Sequence, residues 1–438
     1  MKRVLVLGAG MVAGPLVGYL LKDPDLEVTL ADTVPDKAEK LLGDHRRGRV
    51  ARLDVGNRAE LSKYISRNDL TVSLLPHELH VGIAEICIEH KKSMVNTSYV
   101  SERMAGLDSK ARGAGILILS EIGLDPGIDH MSAMRIIDGV KSAGGRITHF
   151  RSYCGGLPAP EANDNPFGYK VSWSPRGLVM AGRSDSRYLE ESKEIRVPGK
   201  DLFSHHYLTE IDGVGRFEAY PNRDSIPYMK TYGIEGAVTM YRGTLRNIGW
   251  CDAMKSIGDI GYFDDRELSG LNGSTYGRFT SRLVGLPDQD ARRAAAAFLK
   301  IPPDCDVIKR LEWLGLFGDI PLPPIYNNAM DYLADLIRLK MVYREGERDM
   351  IVLFHDFRAE FPDGAEKRIT SVLVEYGIPG GDSAMSRTVG LPAAAAARLA
   401  LEGKIGLTGV HIPVSPAIYK PVLAELDRMN IRCKEETG

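Results

Sequence analysis

The feature that most restricts the fold is Val4-Leu5-Val6-Leu7 followed at once by Gly8-Ala9-Gly10-Met11-Val12-Ala13-Gly14. A short apolar strand that runs into closely spaced glycines and then opens a helix is how a parallel, helix-covered sheet begins. In that geometry Gly8 permits a tight turn, and Gly10 lets the backbone approach a pyrophosphate held at the helix N-terminus. Ala13 is small enough for close helix–strand packing. Lys2-Arg3 ahead of an apolar stretch also looks like the start of a secretory signal. Gly8, Gly10, Gly14 and Pro15 interrupt that stretch, whereas a signal core is a continuous helix former.

The pattern continues downstream. Apolar runs at 28–31, 50–53, 71–75, 94–96 and 116–119 join 4–7 as six expected strands, with helix-period segments such as 35–42 and 81–90 between them. After Pro126 the chain turns to aromatic and arginine-containing stretches and turn-rich loops, which suggests a second, mixed sheet. Residues 250–345 are helix-rich, and 350–361 with 368–376 form an expected hairpin around Pro362-Asp363-Gly364. The segment from Thr388 reads as a helix with Pro392 at or near its first turn, folded back onto the first domain. The expected fold class is therefore α/β in three parts. Residues 1–125 and 388–438 form a Rossmann-type dinucleotide-binding domain completed by the C-terminal segment, 126–249 and 346–387 a mixed α/β substrate and dimer domain, and 250–345 a small helical domain.

Composition excludes several functions. A net charge of −2 over 438 residues offers no basic field for a phosphate polymer, so a nucleic-acid partner is not expected. No run reaches the roughly 18 apolar residues of a membrane span. Five scattered cysteines (Cys87, Cys154, Cys251, Cys305 and Cys433) without a C-x-x-C pair argue against a disulfide framework or a metal site, and for the reduced thiols of a cytoplasmic protein. His77 and His80 in HELH lack the H-E-x-x-H spacing of a zinc protease and read as solvated or helix-capping.

Asp32 ends the second strand, about twenty residues beyond the glycine turn, where a carboxylate accepts hydrogen bonds from ribose hydroxyls. It would repel a 2′-phosphate, and Thr33, Val34, Pro35 and Asp36 supply no arginine, so NAD is expected ahead of NADP, with NADP as the alternative. Ala9, Met11 and Val12 complete the turn. Leu75, Thr97, Leu124 and Asp125 follow the fourth, fifth and sixth strands, where ligands of open α/β sheets bind. Asp54 lies at the adenine edge or is a plain loop aspartate. Competing readings are a glycine turn that binds nothing and a domain for another nucleotide such as adenosylmethionine.

Asp125, set between Gly123-Leu124 and Pro126-Gly127, is expected on a tight turn, as an acid-base or orienting group or as a turn aspartate bonding its own backbone. Ser98 and Tyr99 either hydrogen-bond substrate or finish a strand. His130 donates at the mouth of the site or is satisfied locally, and Cys154 is a functional thiol or a small filler. Arg223, Arg242 and Arg246 suit bidentate recognition of a small polyanion, with surface salt bridging as the competing reading.

Taken together, GAGMVAGP, SLLPHELH, NTSYVS, EIGLDPGIDHM, YCGGLPAPEANDNPFGYKVSWSPRG, YPNRDS, RGTLR and TVGLPAAAAARLALEGKI span essentially the whole chain. This set resembles the L-glutamate-forming saccharopine dehydrogenase family and the dehydrogenase half of aminoadipic semialdehyde synthase. The resemblance implies hydride transfer between NAD(P) and saccharopine through an imine, giving L-glutamate and 2-aminoadipate 6-semialdehyde, by a homodimer. It also implies substrate contacts at Ser98, Tyr99, Arg223, Thr244, Leu245 and Arg246, and acid-base or orienting roles at Asp125, Tyr99 and Cys154. Asp32 departs from the basic or neutral residue of NADP-using members. The rivals are a carboxynorspermidine or homospermidine type dehydrogenase, which would want acidic contacts, and a non-catalytic nucleotide-sensing protein.

Overall fold

In the computed structural model, which describes residues 1–271, 273–287 and 289–438, all six expected strands form: Lys2–Leu7, Leu26–Asp32, Gly48–Arg52, Leu70–Ser73, Ser93–Asn96 and Leu117–Leu119. They lie side by side in the order third, second, first, fourth, fifth, sixth, and Gly409–His411 adds a seventh strand beside the sixth. Every pairing in this sheet is parallel. Val4, Leu5, Val6 and Leu7 are all fully buried, as a central strand covered by helices on both faces requires. The strand order reverses between the first and fourth strands, which opens a crevice at their carboxyl ends.

Two compact units make up the chain. The first contains Met1–Arg146, Ala359–Lys367 and Ser371–Gly438, and the second contains Ile147–Arg358 and Arg368–Thr370. In the first unit the helix Ala384–Leu401 lies along the helix Ala13–Lys22. The contact is close because Gly390 has no side chain: a Cβ there would come within 2.6 Å of the Val12 carbonyl oxygen. Pro392 does not open this helix as expected but sits inside it. The true start is Ser383, whose Oγ accepts from Ser386 N at 3.0 Å, a cap five residues upstream of the expected start at Thr388. An interior proline costs about 3 kcal/mol, and burial of Leu391, Pro392 and Ala393 to Ala397 offsets it.

Helix Ile128–Ser142, expected in the second domain, belongs to the first unit. It packs on the helix Pro416–Arg428, where Tyr419 Oη donates to Asp138 Oδ2 at 2.6 Å, and Arg135 pairs with Glu435 at 2.6 Å. The change of sequence character at Pro126 marks a turn, and the helix after it follows its apolar face to the nearest helical partner.

The second unit is built on a mixed sheet. Tyr207–Ile211, Gly215–Pro221, Thr239–Arg246, Arg146–Pro158 and Asp349–Glu360 lie in that order, and Thr239–Arg246 runs parallel to Arg146–Pro158. The helical stretch 250–345 is not a separate body. Trp250, Met254, Tyr262, Phe279, Leu311 and Leu333 share one apolar cluster with Phe167, Tyr169, Leu178, Phe203 and Tyr220, because short amphipathic helices need a larger surface to cover their apolar faces. The expected hairpin forms, with Phe361 N donating to Ala365 O at 3.0 Å across its tip. Among the described residues no helix is long and apolar enough to cross a membrane.

Candidate functional site

The glycine turn has the bonding its sequence called for. Gly8, at φ +99°, donates to Ala31 O at 2.8 Å, and Ala9 N donates to Asp32 Oδ2 at 2.8 Å. Asp32 Oδ1 also accepts from Val34 N at 2.9 Å. Partial burial pushes the Asp32 pKa up, but the Val34 and Ala9 hydrogen bonds outweigh it and hold the carboxyl below its ordinary value. Helix Ala13–Lys22 opens at Val12 with no side-chain cap and no acid in its first turn, so its N–H groups and positive dipole end remain for an anion. A Cβ at Gly10 would meet no atom within 4 Å, and one at Gly8 would sit 3.2 Å from Leu75 Cδ2. An open, glycine-floored, uncapped helix start fits a dinucleotide. Asp54 Oδ1 accepts from Gly56 N at 2.9 Å, the bonding of a turn aspartate.

The next strand ends bring Ser98, Tyr99 and Asp125 together. Tyr99 Oη donates to Asp125 Oδ1 at 3.0 Å across 26 residues of sequence. Both groups are partly buried. The turn carrying Asp125 doubles back on itself, with Gly123 N donating to Pro126 O at 2.9 Å and Ile128 N to Gly123 O at 2.9 Å. Gly127 is obligatory here: at φ +148° a Cβ would lie 2.0 Å from Gly123 O. Thr97 borders the same turn, its Cβ 3.3 Å from the point a Cβ on Gly123 would occupy, and Leu124 is buried beneath.

His80 overturns the expectation of a solvated or capping histidine. It is 3 % exposed, with Nδ1 at 3.1 Å from Ser73 Oγ and Nε2 at 3.0 Å from Ser98 Oγ. Burial, aided by the nearby His77, lowers its pKa to about 4 against a weaker opposing effect of Glu78. The ring is therefore neutral near pH 7, and one nitrogen accepts while the other donates. His80, Ile83, Ala84 and Cys87 share one helical face and all are buried, so helical spacing was the signal that could have found it. His77 stays exposed beside Glu78 at 3.2 Å. His130 is fully buried, its Nε2 2.8 Å from Glu121 Oε2, which is the local reading.

In the second unit Cys154, Arg242, Thr244 and Arg246 share one face of the mixed sheet. Thr244 pairs in register with Cys154, and alternation along the strand puts Arg242, Thr244 and Arg246 on the same side. Leu245, expected beside them, faces the other way and is fully buried against Gly155. Arg242 and Arg246 are only 2 % and 5 % exposed, which rules out surface salt bridging for these two. The Arg246 guanidinium lies 4.9 Å over the Tyr169 ring and 5.5 Å from that of Trp250. Its Nη1 donates to Leu245 O at 2.8 Å, and its Nε is buried with no hydrogen-bond partner among the described residues. Arg242 lies 4.5 Å over Tyr228. Arg223 is exposed, in a turn at φ +57°. No cluster of potential metal ligands occurs among the described residues.

Two family models cover these two sets of residues. Residues 4–119 match the saccharopine dehydrogenase NADP binding domain, and residues 123–431 the saccharopine dehydrogenase C-terminal domain. The chain belongs to the saccharopine dehydrogenase family. A saccharopine dehydrogenase [NADP(+), L-glutamate-forming] of Pyricularia oryzae is 40 % identical over 446 residues, with 99 % of each chain covered. The mitochondrial alpha-aminoadipic semialdehyde synthase of Bos taurus is 39 % identical over 97 % of this chain, which spans 46 % of that protein. The solved apo saccharopine dehydrogenase (L-Glu forming) from Saccharomyces cerevisiae superposes with a TM-score of 0.90 at 36 % identity, covering both chains completely.

These findings correct the preference for NAD. The matched domain is NADP-binding, and the Pyricularia relative carries NADP(+) in its name. Both Asp32 oxygens accept hydrogen bonds from the backbone of the turn, so the carboxylate has a local role and its presence alone does not select NAD. Arg52, paired in register with Asp32 on the neighbouring strand, is exposed, and strand pairing rather than sequence proximity brings it there.

Proposed function

We propose that this saccharopine dehydrogenase family member interconverts saccharopine with L-glutamate and 2-aminoadipate 6-semialdehyde, using NADP, as a cytoplasmic homodimer. The observation that carries the substrate is the buried Arg246 guanidinium on the face of the mixed sheet. A desolvated guanidinium whose Nε lacks an acceptor is a standing demand for a carboxylate, and saccharopine carries several. A polyamine substrate would instead bring cations against the buried Arg246 guanidinium. Five free cysteines agree with a reducing compartment.

In this reading the backbone around Gly8 to Val12 and the uncapped helix start hold the pyrophosphate, and Arg52 supplies positive charge for a 2′-phosphate. The nicotinamide supplies the hydride acceptor. Hydride leaves the carbon next to the secondary nitrogen only when that nitrogen is neutral, so the protein must first take a proton from it. The hydrogen-bonded Tyr99 and Asp125 are suited to hold that proton and to return it to the departing amine as water opens the imine. In the second unit Arg223, Arg242, Thr244 and Arg246 are suited to bind carboxylates, with Cys154 beside Thr244 as an orienting group, and in the first unit Ser98 is suited to hydrogen-bond substrate.

Steady-state assays of saccharopine with NADP and with NAD test the reading directly. Nicotinamide reduction with release of glutamate is expected, faster with NADP. No reduction with either nucleotide across a broad pH range overturns the activity, and a clear preference for NAD overturns the cofactor assignment alone. Sedimentation at micromolar concentration is expected to show a dimer.

A further inference from the structure

Behind the Tyr99–Asp125 contact lies a buried array that the proposed chemistry does not use. Glu121, Asp129 and His130 are 4 %, 1 % and 0 % exposed. Glu121 sits at φ +58°, a conformation that a residue with a Cβ adopts only when its surroundings impose it. Its backbone N donates to Ser98 O at 3.1 Å, its Oε1 accepts from Val100 N at 2.9 Å, and its Oε2 meets His130 Nε2 at 2.8 Å. His130 Nδ1 stands 3.7 Å from Asp129 Oδ2, and Asp129 Oδ1 accepts from Gly127 N at 2.5 Å. A run of polar groups, hydrogen-bonded except at the 3.7 Å approach of His130 to Asp129, thus extends from Val100, next to Tyr99, to Gly127, two residues after Asp125.

We propose that Glu121 is a positioning residue for the Tyr99–Asp125 pair, acting with His130 and Asp129 as a fixed spacer between the two segments that carry it. The inference rests on the acid-base role assigned above to that pair. Burying two carboxylates and an imidazole is costly, and apolar residues of similar size would fill the same volume at no such cost. What an apolar residue at 121 cannot do is accept from the Val100 backbone and meet a polar side chain on the next helix at the same time. Glu121 bonds the 98–100 segment twice, on both sides of Tyr99, which restrains where the phenol points. The carboxylate then reaches across to the start of the next helix, which restrains Asp125.

Glu121→Asn tests this. Asparagine tolerates the left-handed conformation, but its side chain is too short to reach Val100 and His130 together. Expected is a fall in kcat of about tenfold to a hundredfold, the scale of a small misplacement of reacting groups, with affinity for NADPH, read by its fluorescence, within about twofold. In the Tyr99→Phe background the same substitution should lower kcat by less than about threefold, because the group it positions has been removed. Additive losses in this cycle, or parallel loss of NADPH affinity, overturn the proposal. Amide hydrogen exchange gives an activity-independent reading: the Val100 amide should exchange at least about tenfold faster in E121N, with the amides of Lys2–Leu7 unchanged. Unchanged Val100 exchange, or uniformly faster exchange, also overturns it. Should E121N not accumulate folded, Glu121→Gln, which offers one acceptor oxygen in place of two, enters the same cycle with a smaller expected loss and the same demand for subadditivity. Wild-type protein that fails to turn over saccharopine sinks the proposed function, while exchange at Val100 still decides the spacer.

Discussion

The two units present their candidate residues in opposite ways. In the first, Gly8, Ser98, Tyr99 and Asp125 lie beyond strand ends and Asp32 is the last residue of its strand, along the one edge where a parallel sheet gathers its carboxyl ends. In the second, Cys154, Arg242, Thr244 and Arg246 lie within strands and share a face only because of alternation and register. Loop residues at strand ends can be shaped and tightened individually, which suits proton handling. Side chains on a sheet face are held by their strands and by the aromatic rings over them, which suits a rigid carboxylate receptor. The proposed function accordingly assigns proton handling to the strand ends and carboxylate binding to the sheet face.

Mutation can break this division. The largest expected effect is that of Asp125→Asn, which keeps the shape of the turn and removes the charge: kcat should fall by about a hundredfold or more with the saccharopine KM within about threefold. An equal or greater rise in KM would move Asp125 to the binding side. Next is Arg246→Met, which fills the aromatic slot without the guanidinium and should raise the saccharopine KM by about tenfold to a hundredfold, leaving NADPH affinity unchanged. If kcat alone falls, the sheet face shares in the chemistry and the comparison fails. The smallest effect concerns stability. His80 has a folded pKa of about 4 against 6.5 for an ordinary histidine, so the unfolded chain takes up the proton first as pH falls. Its contribution is complete above pH 6.5 and is lost toward pH 4, on the order of 3 kcal/mol in total. Denaturant unfolding at pH 7.5 and 4.5 should show the wild-type advantage over His80→Gln shrinking at the lower pH; a gap independent of pH would mean that the ring titrates alike in the folded and the unfolded chain.

Legibility in the sequence followed the same line. The six parallel strands, the glycine turn, the tight turn at Asp125 and the hairpin tip at Pro362-Asp363-Gly364 were all readable, because apolar runs, glycines and prolines act locally on the backbone. The failures share one cause. Pro392 was read by its local preference for a helix start, while burial against the helix Ala13–Lys22 carried the helix through it. His80 was weighed as a motif member, while the helical face it shares with Ile83 and Cys87 took it inside.

The sequence by itself determined the class of fold, the nucleotide-binding start and, through long distinctive segments, the family, since each of these depends on short-range backbone chemistry or on the order of residues. Tertiary structure alone decided that Tyr99 meets Asp125, that Arg52 stands beside Asp32, that two arginines are buried on one sheet face, and that Glu121 reaches both Val100 and His130. Each of these joins residues through strand pairing or loop packing, and the free energy of such a contact depends on which groups it shuts away from water together. No local pattern in the chain encodes that.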